Sequence, residues 1–504
     1  MAILKILSAQ QTQVLDQQTI LREPISSIDL MERASRAFFS AFQQKFGAVD
    51  QKIYVLCGPG NNGGDGLAVA RMLHEADYEL EVWRAEIGKP SPDHLTNLDR
   101  LKAIPAVTVR DFSADDTLPL PTSGSILIDG LFGSGLNRPV EGKWGDWIDQ
   151  LNVQEITRVA IDVPSGLMAD QASSGIILKA DYTFSFQLPK LAFFAPENAT
   201  YLGTWHILDI GLSADAIAET HSTNFHFTLP AAKDLLRKRG RFDHKGTFGH
   251  TLLIAGSHGK VGAAILCAKA ALRAGCGLVT VQVPGCAYAI MQIAFPEAMV
   301  IVDPHEEIFT TPPTLATYNA VGAGPGIGTN WLTRKGLHEL LEEADQPLVL
   351  DADALNILGQ QKDWQTSIPK HSILTPHPKE FERLFGPSTN SFSRWELLRE
   401  QAQRLQSYIL LKGGNTVIAT PEGELYFLNI GNPGMATAGA GDVLTGIITG
   451  LLAQGYPSRA ATLLGAILHG LAGDIAAEKR EMESLIAEDI IEHLGSAFKR
   501  IRSL

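Results

Sequence analysis

The first half of the chain places polar side chains directly after short apolar segments. Ile53–Cys57 is followed by G-P-G-N-N-G-G-D-G at residues 58–66, and Asp129 and Asp162 follow two other apolar segments. Glycine lets backbone amides approach a phosphate closely, and a helix that begins there faces it with roughly half a positive charge. We therefore predict a phosphate-binding loop, then a helix over residues 67–75, with carboxylates beside the loop that can transfer protons.

Each of these features also has a simpler interpretation. The loop follows neither the G-x-G-x-x-G pattern nor the Walker pattern, so a plain tight turn would explain it as well. A single aspartate at the end of a strand is more often a helix cap or a hydrogen-bond anchor. Three such segments in one parallel sheet favour a ligand site, because ligands bind outside the carboxyl ends of the strands.

The second half contains a longer run of small residues that ends in an aspartate. Residues 431–442 read G-N-P-G-M-A-T-A-G-A-G-D, and an apolar helix is predicted over residues 443–453. Small residues at a helix start expose successive amides to an anion, and Asp442 would lie beside that anion. Such an aspartate can also simply favour the helix dipole. Because the whole run of small residues has no other structural reason, we predict that Asp442 is a general base.

Three more segments of the second half are expected at the same sheet edge, because each follows an apolar strand. They read L-D-A-D-A-L-N at residues 350–356, L-T-P-H-P-K-E-F at 374–381 and L-L-K-G-G-N-T at 410–416. His377 alone is more often a structural histidine. The neighbouring T-P and P-K-E residues favour a site instead.

Alternating apolar runs and helical patterns predict an α/β fold for both halves, with doubly wound and mostly parallel sheets. Helices are expected after Ser8 and from Ser27, the second with Leu30, Phe38 and Phe42 on one face. Strands are predicted at residues 53–57, 80–83, 125–128, 158–161, 182–186, 250–256 and 277–281.

A polar, alanine-rich stretch at residues 214–224 is the predicted linker between a domain at residues 1–213 and a second at 225–504. Two domains agree with the length of 504 residues, which exceeds what one ordinary core organises. Hydrophobic residues make up 45% of the chain and charged residues 19%, so both domains should fold.

Charge and cysteine usage limit the environment of the protein. The formal net charge of −13 gives no overall electrostatic reason to bind nucleic acid or anionic lipid. The cysteines show no C-x-x-C or zinc-type spacing. We recognise no signal peptide and no apolar stretch near ~18 residues, so a cytoplasmic protein without a membrane or nucleic-acid partner is predicted.

The segments of the first half are similar to those of the NAD(P)H-hydrate epimerase family, over about residues 1–213. The similarity rests on N-N-G-G-D-G at 61–66, D-G-L-F-G-S-G-L-N-R-P at 129–139 and A-I-D-V-P-S-G at 160–166. It implies a Rossmann-like domain whose hydrate contacts are Asn61, Asn62, Gly63, Gly64, Asp65, Gly133, Ser134, Gly135, Leu136, Asn137, Arg138, Pro139 and Asp162. It also implies a potassium ion (K+) held by Asn62, Asp129 and Ser165.

The chemistry of the hydrate agrees with these residue types. The hydrate carries a hydroxyl beside the ring nitrogen, so loss of water gives an iminium ion that water can attack from either face. A carboxylate at that point can shuttle the proton and stabilise the cation. Asp162 is the predicted catalytic residue, with Asp65 as the second choice. Amide, carboxylate and hydroxyl oxygens suit a hard cation, and its identity as potassium comes from the resemblance.

The sequence G-A-G-D at residues 439–442 resembles the ribokinase-like superfamily, in which this aspartate takes a proton from an attacking hydroxyl. Vitamin and sugar kinases usually continue T-P with N-x-x-E, whereas this chain has H-P-K-E at 377–380. Together with H-K-G-T-F-G-H at 244–250, this resembles the ADP-dependent NAD(P)H-hydrate dehydratase family over about residues 225–504. The resemblance implies hydrate contacts at Gly262, Gly326, His377 and Asp442, and ADP contacts at Lys412, Gly413, Gly414, Asn415, Thr416 and Gly441.

The two resemblances together imply an isomerase fused to a lyase, with hydrated NADH, hydrated NADPH and ADP as small-molecule partners. The first domain would interconvert the R and S hydrates. The second would dehydrate the S form with ADP and magnesium (Mg2+), which Glu380 is expected to support through water. A homo-oligomer is expected.

Two alternatives stay open at the level of sequence: a small-molecule kinase in the second half, or a non-catalytic binding module in the first. The residues alone do not decide between ADP and ATP. They also leave open the oligomeric state, channelling between the sites, regulatory ligands and which acid or base acts in epimerisation.

Overall fold

The computed structural model describes residues 3–504, which divide into two compact units. The first unit is Lys5–Asn224, and the second is Phe225–Leu504 together with residues 3 and 4. Residues 1 and 2 of the predicted first domain lie outside the described residues. The stretch predicted as a linker contains a helix, Ala214–Glu219, and clusters with the first unit.

Strands and helices alternate through most of both units. The strands are β1 (Ile3–Lys5), β2 (Ile53–Cys57), β3 (Leu80–Ala85), β4 (Thr108–Phe112), β5 (Ile126–Gly130), β6 (Thr157–Ile161), β7 (Tyr182–Phe186), β8 (Thr204–Leu208), β9 (Asn224–Phe227), β10 (His250–Ile254), β11 (Leu278–Val283), β12 (Met299–Val302), β13 (Ala320–Ala323), β14 (Leu348–Leu350), β15 (Ile373–Leu374), β16 (Tyr408–Leu411), β17 (Thr416–Ala419) and β18 (Leu425–Leu428). The α-helices are α1 (Ala9–Arg22), α2 (Ser27–Phe46), α3 (Asn61–Glu75), α4 (Pro92–Lys102), α5 (Gly142–Asn152), α6 (Ala199–Leu202), α7 (Ala214–Glu219), α8 (Leu229–Leu235), α9 (Val261–Arg273), α10 (Tyr288–Ala294), α11 (Trp331–Glu343), α12 (Ala352–Gln360), α13 (Pro378–Phe385), α14 (Ser391–Leu405), α15 (Ala440–Ala453), α16 (Ser458–Lys479) and α17 (Ala487–Ser503).

The first unit is built on a seven-stranded sheet with the order β4-β3-β2-β5-β6-β7-β8. All neighbouring strands are parallel, with register pairs such as Val55 with Ile128 and Ile128 with Val159. Strands β2 to β4 progress toward one edge and β5 to β8 toward the other, so the order reverses between β2 and β5. A crevice opens at such a reversal, outside the carboxyl ends of the strands. Asp129 lies in this crevice region, at the end of β5.

The two leading helices predicted from the sequence are confirmed. Ser8 caps α1 in a capping box with Gln11, because each side chain accepts a hydrogen bond from the other residue's amide. Leu30, Phe38 and Phe42 of α2 are all buried, as their spacing predicts. α2 therefore closes one face of the sheet with an apolar stripe.

Two helices begin earlier than the sequence pattern predicts. α3 begins at Asn61 rather than at residue 67, and α15 begins at Ala440 rather than at residue 443. In α3, a Cβ on Gly63 would lie 1.8 Å from the carbonyl oxygen of Gly58, so close packing requires glycine there. Local propensity marks such a glycine-rich run as a loop, whereas tertiary packing makes it the first turns of a helix.

The second unit contains an eleven-stranded sheet with the order β1-β9-β18-β17-β16-β15-β14-β13-β10-β11-β12. Along the sheet from β16 through β15, β14, β13, β10 and β11 to β12, neighbouring strands are parallel. β17 is antiparallel to both of its neighbours, β16 and β18. The order reverses between β10 and β13. α15 packs against α9 and buries Val443, Ile447 and Leu451 in the core. The predicted α/β class is confirmed in both units.

By length and composition, α16 is able to cross a membrane. The expectation that no apolar stretch of that length occurs is therefore wrong for this helix. In the structure 78% of its apolar window is buried inside the protein. Such a helix, apolar on all sides, is typical of the core of a large domain.

Candidate active sites

A cavity of about 790 Å³ opens where the strand order of the first unit reverses. Its lining includes most residues predicted to contact the hydrate: Asn61, Asn62, Asp65, Gly133, Ser134, Gly135, Leu136, Asn137, Arg138 and Asp162. Within the described chain, three predicted contacts do not line it: Gly63 and Gly64, which are buried in α3, and the exposed Pro139. The volume is typical of a small-molecule site.

Asp162 follows β6 and is buried against a lysine. Its Oδ1 lies 3.0 Å from Nζ of Lys190 and accepts hydrogen bonds from Ser185 Oγ at 3.0 Å and the Phe186 amide at 3.4 Å. Burial alone would raise the pKa of Asp162, but Lys190, Ser134 and Ser185 outweigh it and lower the pKa below its usual value. The residue has a φ of +63°, a strained conformation that is concentrated at functional sites. Asp162 is therefore an ionised carboxylate held in one position.

Lys190 is a site residue that the sequence reasoning missed. It is 3% exposed, and besides Asp162 it donates to the carbonyls of Phe186 at 3.3 Å and Leu188 at 3.1 Å. An ammonium has three N–H donors, so all of them are engaged. The available signal was its place shortly after β7, the same kind of strand-end position as the other site residues.

Three further carboxyl groups line the cavity from helices: Asp16, Asp65 and Asp93. Asp65 in α3 accepts a hydrogen bond from Ser35 Oγ at 3.1 Å, and burial raises the pKa of Asp65 well above its usual value. Asp16 in α1 also lines the cavity, and burial raises its pKa to about 6. The sequence reasoning missed Asp16. Its signal was a polar face at helical spacing, formed by Thr12, Gln13, Asp16 and Gln17.

The three residues implied as potassium ligands lie together. Ser165 Oγ donates to Asp129 Oδ1 at 2.6 Å and accepts from the Phe132 amide at 2.8 Å, while Asn62 donates to the Phe132 carbonyl at 3.0 Å. Asp129 is fully buried, and burial raises its pKa to about 6. Among the described residues no lysine or arginine pairs with it. Buried oxygen donors with an uncompensated carboxylate fit a hard cation such as potassium.

In the second unit, the run of small residues forms an open helix start. Gly439 precedes α15 with a φ of +88°, and no side chain of the described residues caps the first amides. Asp442 lies half-buried in the first turn. Burial and the nearby Asp351 raise the pKa of Asp442 to about 6, against the opposing effect of Lys412. A carboxylate with this pKa can accept a proton from a hydroxyl near neutral pH.

Lys412 connects the predicted nucleotide segment to this helix. Its Nζ lies 2.9 Å from Oδ1 of Asp351 and 3.9 Å from Oε2 of Glu380. Burial opposes the charge of Lys412, but these two carboxylates raise its pKa. Oδ2 of Asp351 accepts a hydrogen bond from Thr445 Oγ1 at 2.7 Å, so the ion pair is anchored to α15. The sequence reasoning had quoted Asp351 without a role and missed Thr445.

The other residues implied to bind ADP lie next to Lys412. Gly413 and Gly414 are exposed in the turn between β16 and β17. The half-buried Asn415 ends this turn, and the half-buried Thr416 begins β17. A Cβ on Gly441 would lie 3.4 Å from the Lys412 Nζ. The structure therefore brings the β16–β17 turn and the start of α15 to one place.

His377 is the N-cap of α13. Its Nδ1 accepts hydrogen bonds from the amides of Lys379 at 3.1 Å and Glu380 at 3.4 Å, and Glu380 Oε2 accepts from the His377 amide at 2.8 Å. His377 therefore has a structural role as the cap of α13, and Glu380, which it contacts, lies beside Lys412. Its contact with the hydrate stays a prediction. In the described chain no cluster of three or more His, Cys, Asp or Glu could hold a metal ion. Carboxylate oxygens such as those of Asp351 and Glu380, which both lie beside Lys412, are of the kind that magnesium binds.

Gly262 and Gly326 lie in neighbouring segments. A Cβ on Gly326 would lie 3.1 Å from the Cβ of Ala263, whereas the space around Gly262 is open. α9, which contains Gly262, also contacts α15, because Cys267 Sγ of α9 donates a hydrogen bond to the Asp442 carbonyl at 3.0 Å. Helix α9 thus joins the predicted hydrate contacts to Asp442.

The fold and the two sites define a two-unit α/β enzyme, with a Rossmann-like unit and a ribokinase-like unit. Residues 251–495 match the family described as NAD(P)H-hydrate dehydratase, and residues 27–192 match the family described as YjeF-related protein N-terminus. The bifunctional NAD(P)H-hydrate repair enzyme Nnr of Moorella thermoacetica is 35% identical, over 95% of this chain and 93% of that protein. The enzyme of the same name from Escherichia coli is 32% identical, over 92% of this chain and 88% of that protein. This chain belongs to the family of bifunctional NAD(P)H-hydrate repair enzymes, and the resemblance found in the sequence is confirmed.

Among solved structures, the chain is similar to the ADP/ATP-dependent NAD(P)H-hydrate dehydratase from Bacillus subtilis, which was co-crystallised with ATP and Mg2+. The identity is 31%, the match covers 55% of this chain and 98% of that one, and the TM-score is 0.49.

Proposed function

We propose that this chain returns hydrated NADH and NADPH to NADH and NADPH through two activities. The first unit interconverts the R and S hydrates, and the second dehydrates the S form while ADP is converted to AMP and phosphate. The observation that carries this proposal is Asp442 at an uncapped helix start, beside the Lys412–Asp351 ion pair. A base, an anion-binding helix start and a fixed cation are what phosphoryl transfer to a hydroxyl needs.

Dehydration begins with proton transfer from the ring hydroxyl to the carboxylate of Asp442. The hydroxyl oxygen attacks the terminal phosphorus of ADP, and the bond to the AMP oxygen breaks. The first amides of α15 and the ammonium of Lys412 stabilise the charge on the transferring phosphoryl group. Loss of phosphate, with a proton from the adjacent ring carbon, then restores the dihydropyridine. Magnesium, carried with the nucleotide, supplies charge neutralisation of the phosphates.

Epimerisation uses the ionised carboxylate of Asp162. The ring hydroxyl takes up a proton and leaves as water, which makes the ring cationic, and the negative charge of Asp162 stabilises that cation. Lys190 keeps Asp162 ionised and in position, at a separation of 3.0 Å. Water that returns on either ring face gives one or the other epimer.

A potassium ion would be held by Asn62, Asp129 and Ser165, as the buried oxygens of Asp129 and Ser165 support. Such an ion supplies charge compensation for Asp129 beside the cavity. We further propose a cytoplasmic homo-oligomer with small-molecule partners only, and functional domains at residues 1–213 and 225–504 joined by residues 214–224.

The decisive experiment follows the absorbance of regenerated NADH after the full-length protein is added to a mixture of both NADH hydrate epimers. Magnesium and potassium are present, and ADP or ATP is supplied in separate reactions. Full conversion supports both activities, and the nucleotide that permits it identifies the phosphoryl donor. Conversion that stops at the fraction of one epimer contradicts the epimerase assignment. A phosphorylated product that accumulates, without NADH, would make the second unit a small-molecule kinase.

A further inference from the structure

Helix α1 contributes one wall of the cavity in the first unit. Its cavity residues are Ala9, Thr12, Gln13, Asp16, Gln17 and Ile20, which recur at helical spacing. Asp16 is the single titratable side chain among them. The remaining polar groups of this wall are hydroxyl and amide, which do not gain or lose a proton near neutral pH.

Asp16 differs from the other carboxylates of the cavity because nothing holds it in a structural role. Within residues 3–504 its carboxylate forms no hydrogen bond and no ion pair. Asp162 pairs with Lys190, Asp65 accepts a hydrogen bond from Ser35, and Asp93 accepts one from Ser27. A half-buried carboxyl group without a partner is costly unless it serves a ligand.

Asp16 is nevertheless close to the reacting groups. Its charge interacts with those of Lys190 and Asp162, and Asp65 in turn feels both Asp16 and Asp162. Burial raises the pKa of Asp16 to about 6, whereas the pKa of Asp162 is lowered. When two carboxyl groups share one cavity and their pKa values are shifted in opposite directions, the group with the raised pKa can donate a proton while the other stays ionised.

We propose that Asp16 is the proton-transfer residue of the epimerase site, beside an Asp162 that stays ionised. The inference rests on the proposed epimerisation and adds a catalytic residue to it. Departure of hydroxide from carbon requires a proton donor, and a permanently ionised Asp162 cannot be that donor. The protonated carboxyl of Asp16 reaches into the cavity from the α1 wall and fills this role.

The proton and bond changes balance as follows. The carboxyl of Asp16 gives its proton to the ring hydroxyl, the carbon–oxygen bond breaks with its electrons on oxygen, and water and a ring iminium ion form. A water molecule then adds to the iminium carbon from the other face and gives its proton, through water in the cavity, to the carboxylate of Asp16. This restores the carboxyl group of Asp16, and Asp162 stays ionised throughout. The same path in reverse converts the second epimer back.

The test measures interconversion of the purified NADH hydrate epimers by chromatography, with full-length protein and without ADP or ATP, so that dehydration does not interfere. The variants are Asp16→Asn, Asp16→Glu and, as a control on the exposed side of α1, Gln18→Ala. We expect Asp16→Asn to lower kcat at least about 100-fold with little change in KM, and Asp16→Glu to restore part of it. Gln18→Ala should behave as the wild type.

The pH profile separates proton transfer from a structural role. In the wild type, kcat/KM for epimerisation should fall as pH rises above about 6, since the donor loses its proton. The charged groups that face Asp16 are Lys190, Asp162 and Asp65, and they remain in all variants. Asp16→Asn should remove this alkaline decline from the residual rate.

Three outcomes would overturn the proposal for Asp16. One is an Asp16→Asn rate within about threefold of the wild type. The second is a low rate of Asp16→Asn that still declines at alkaline pH. The third is a rate of Asp16→Glu as low as that of Asp16→Asn, although Asp16→Glu unfolds thermally like the wild type. A wild-type protein that does not interconvert the epimers at all would instead contradict the proposed function, which is a distinguishable result.

Discussion

Both units place an aspartate and a lysine close together after parallel strands, with Lys190 buried and Lys412 half-buried. The lysine pairs differently in the two sites. In the first unit, Lys190 contacts the candidate catalytic residue itself, at 3.0 Å from Asp162. In the second, Lys412 contacts Asp351 at 2.9 Å, and within residues 3–504 Asp442 has no such direct partner. The pKa of Asp162 is therefore lowered, whereas the pKa of Asp442 is raised to about 6.

This difference suits the two reactions. A carboxylate that stabilises a cationic ring must stay charged, and a direct ion pair ensures that it does. A general base works best with a pKa near the working pH, and burial beside another carboxylate provides that. Similar residue types thus give an electrostatic stabiliser or a base, depending on which carboxylate the lysine contacts.

The largest expected effect is that of Asp442→Ala. Removing the base should lower the rate of dehydration by ~10² to 10⁴ and leave epimerisation unchanged, because the other site keeps all its residues. The measurement is NADH formation from the S hydrate, with epimer interconversion followed in parallel. The exposed Asp363→Ala serves as a control in the same unit. Dehydration that persists in Asp442→Ala would show that Asp442 is not the general base.

Lys190→Met tests the other half of the comparison. The change leaves Asp162 buried without its cation, so its pKa should rise and epimerisation should fall about 100-fold. Breaking such a pair should also cost about 3–5 kcal/mol of stability in the first unit. Epimer interconversion and urea unfolding measure the two effects. The exposed Lys179→Met should change neither, and an unaltered rate in Lys190→Met would show that the ion pair is dispensable.

The two activities should also respond differently to acid. Asp442 must be ionised to act, so kcat/KM for dehydration should fall about tenfold between pH 7 and pH 5, through its pKa of about 6. The charged groups that influence the pKa of Asp442 are Asp351, Lys412 and Asp353. Asp162 stays ionised over this range, so epimerisation should lack the same acid decline. Parallel acid declines of both rates would contradict the distinction between the two aspartates.

The smallest expected effect is that of Thr445→Val. It removes the 2.7 Å hydrogen bond to Asp351 and leaves that buried carboxylate with one donor fewer, at a cost of about 1–3 kcal/mol. We expect dehydration to slow severalfold through a shifted Lys412, with epimerisation unaffected. Thr449→Val, one turn further along α15, removes only a bond to the Thr445 carbonyl and is the matched control. Equal rates in both variants would show that Asp351 needs no anchor on α15.

Much of the fold followed from local pattern. Buried strands such as β2 and β7 appear as apolar runs with the boundaries that the structure has, and the stripe of α2 is buried as its spacing predicts. The edge strand β4 was missed because its residues are largely exposed and lack an apolar run. The start of α3 was misplaced because its glycines are required by contact with Gly58, which propensity does not register.

The candidate site residues likewise fall into those that the local sequence identifies and those that it does not. Asp162 and Asp442 could be singled out because each stands where an apolar run meets small residues. Lys190, Asp16 and Thr445 have no such local mark, and their roles depend on partners far away in the chain.

The sequence by itself determined the family, the α/β class and the two principal aspartates, because strand ends, glycine-rich helix starts and family motifs are local features of the chain. Only the tertiary structure decided which lysine contacts which carboxylate, which glycines serve packing and which helix face lines the cavity. Those outcomes depend on burial and on distances of a few ångströms between segments remote in sequence. Ionisation state depends on the same quantities, so the chemical role of each aspartate appears only once the chain has folded.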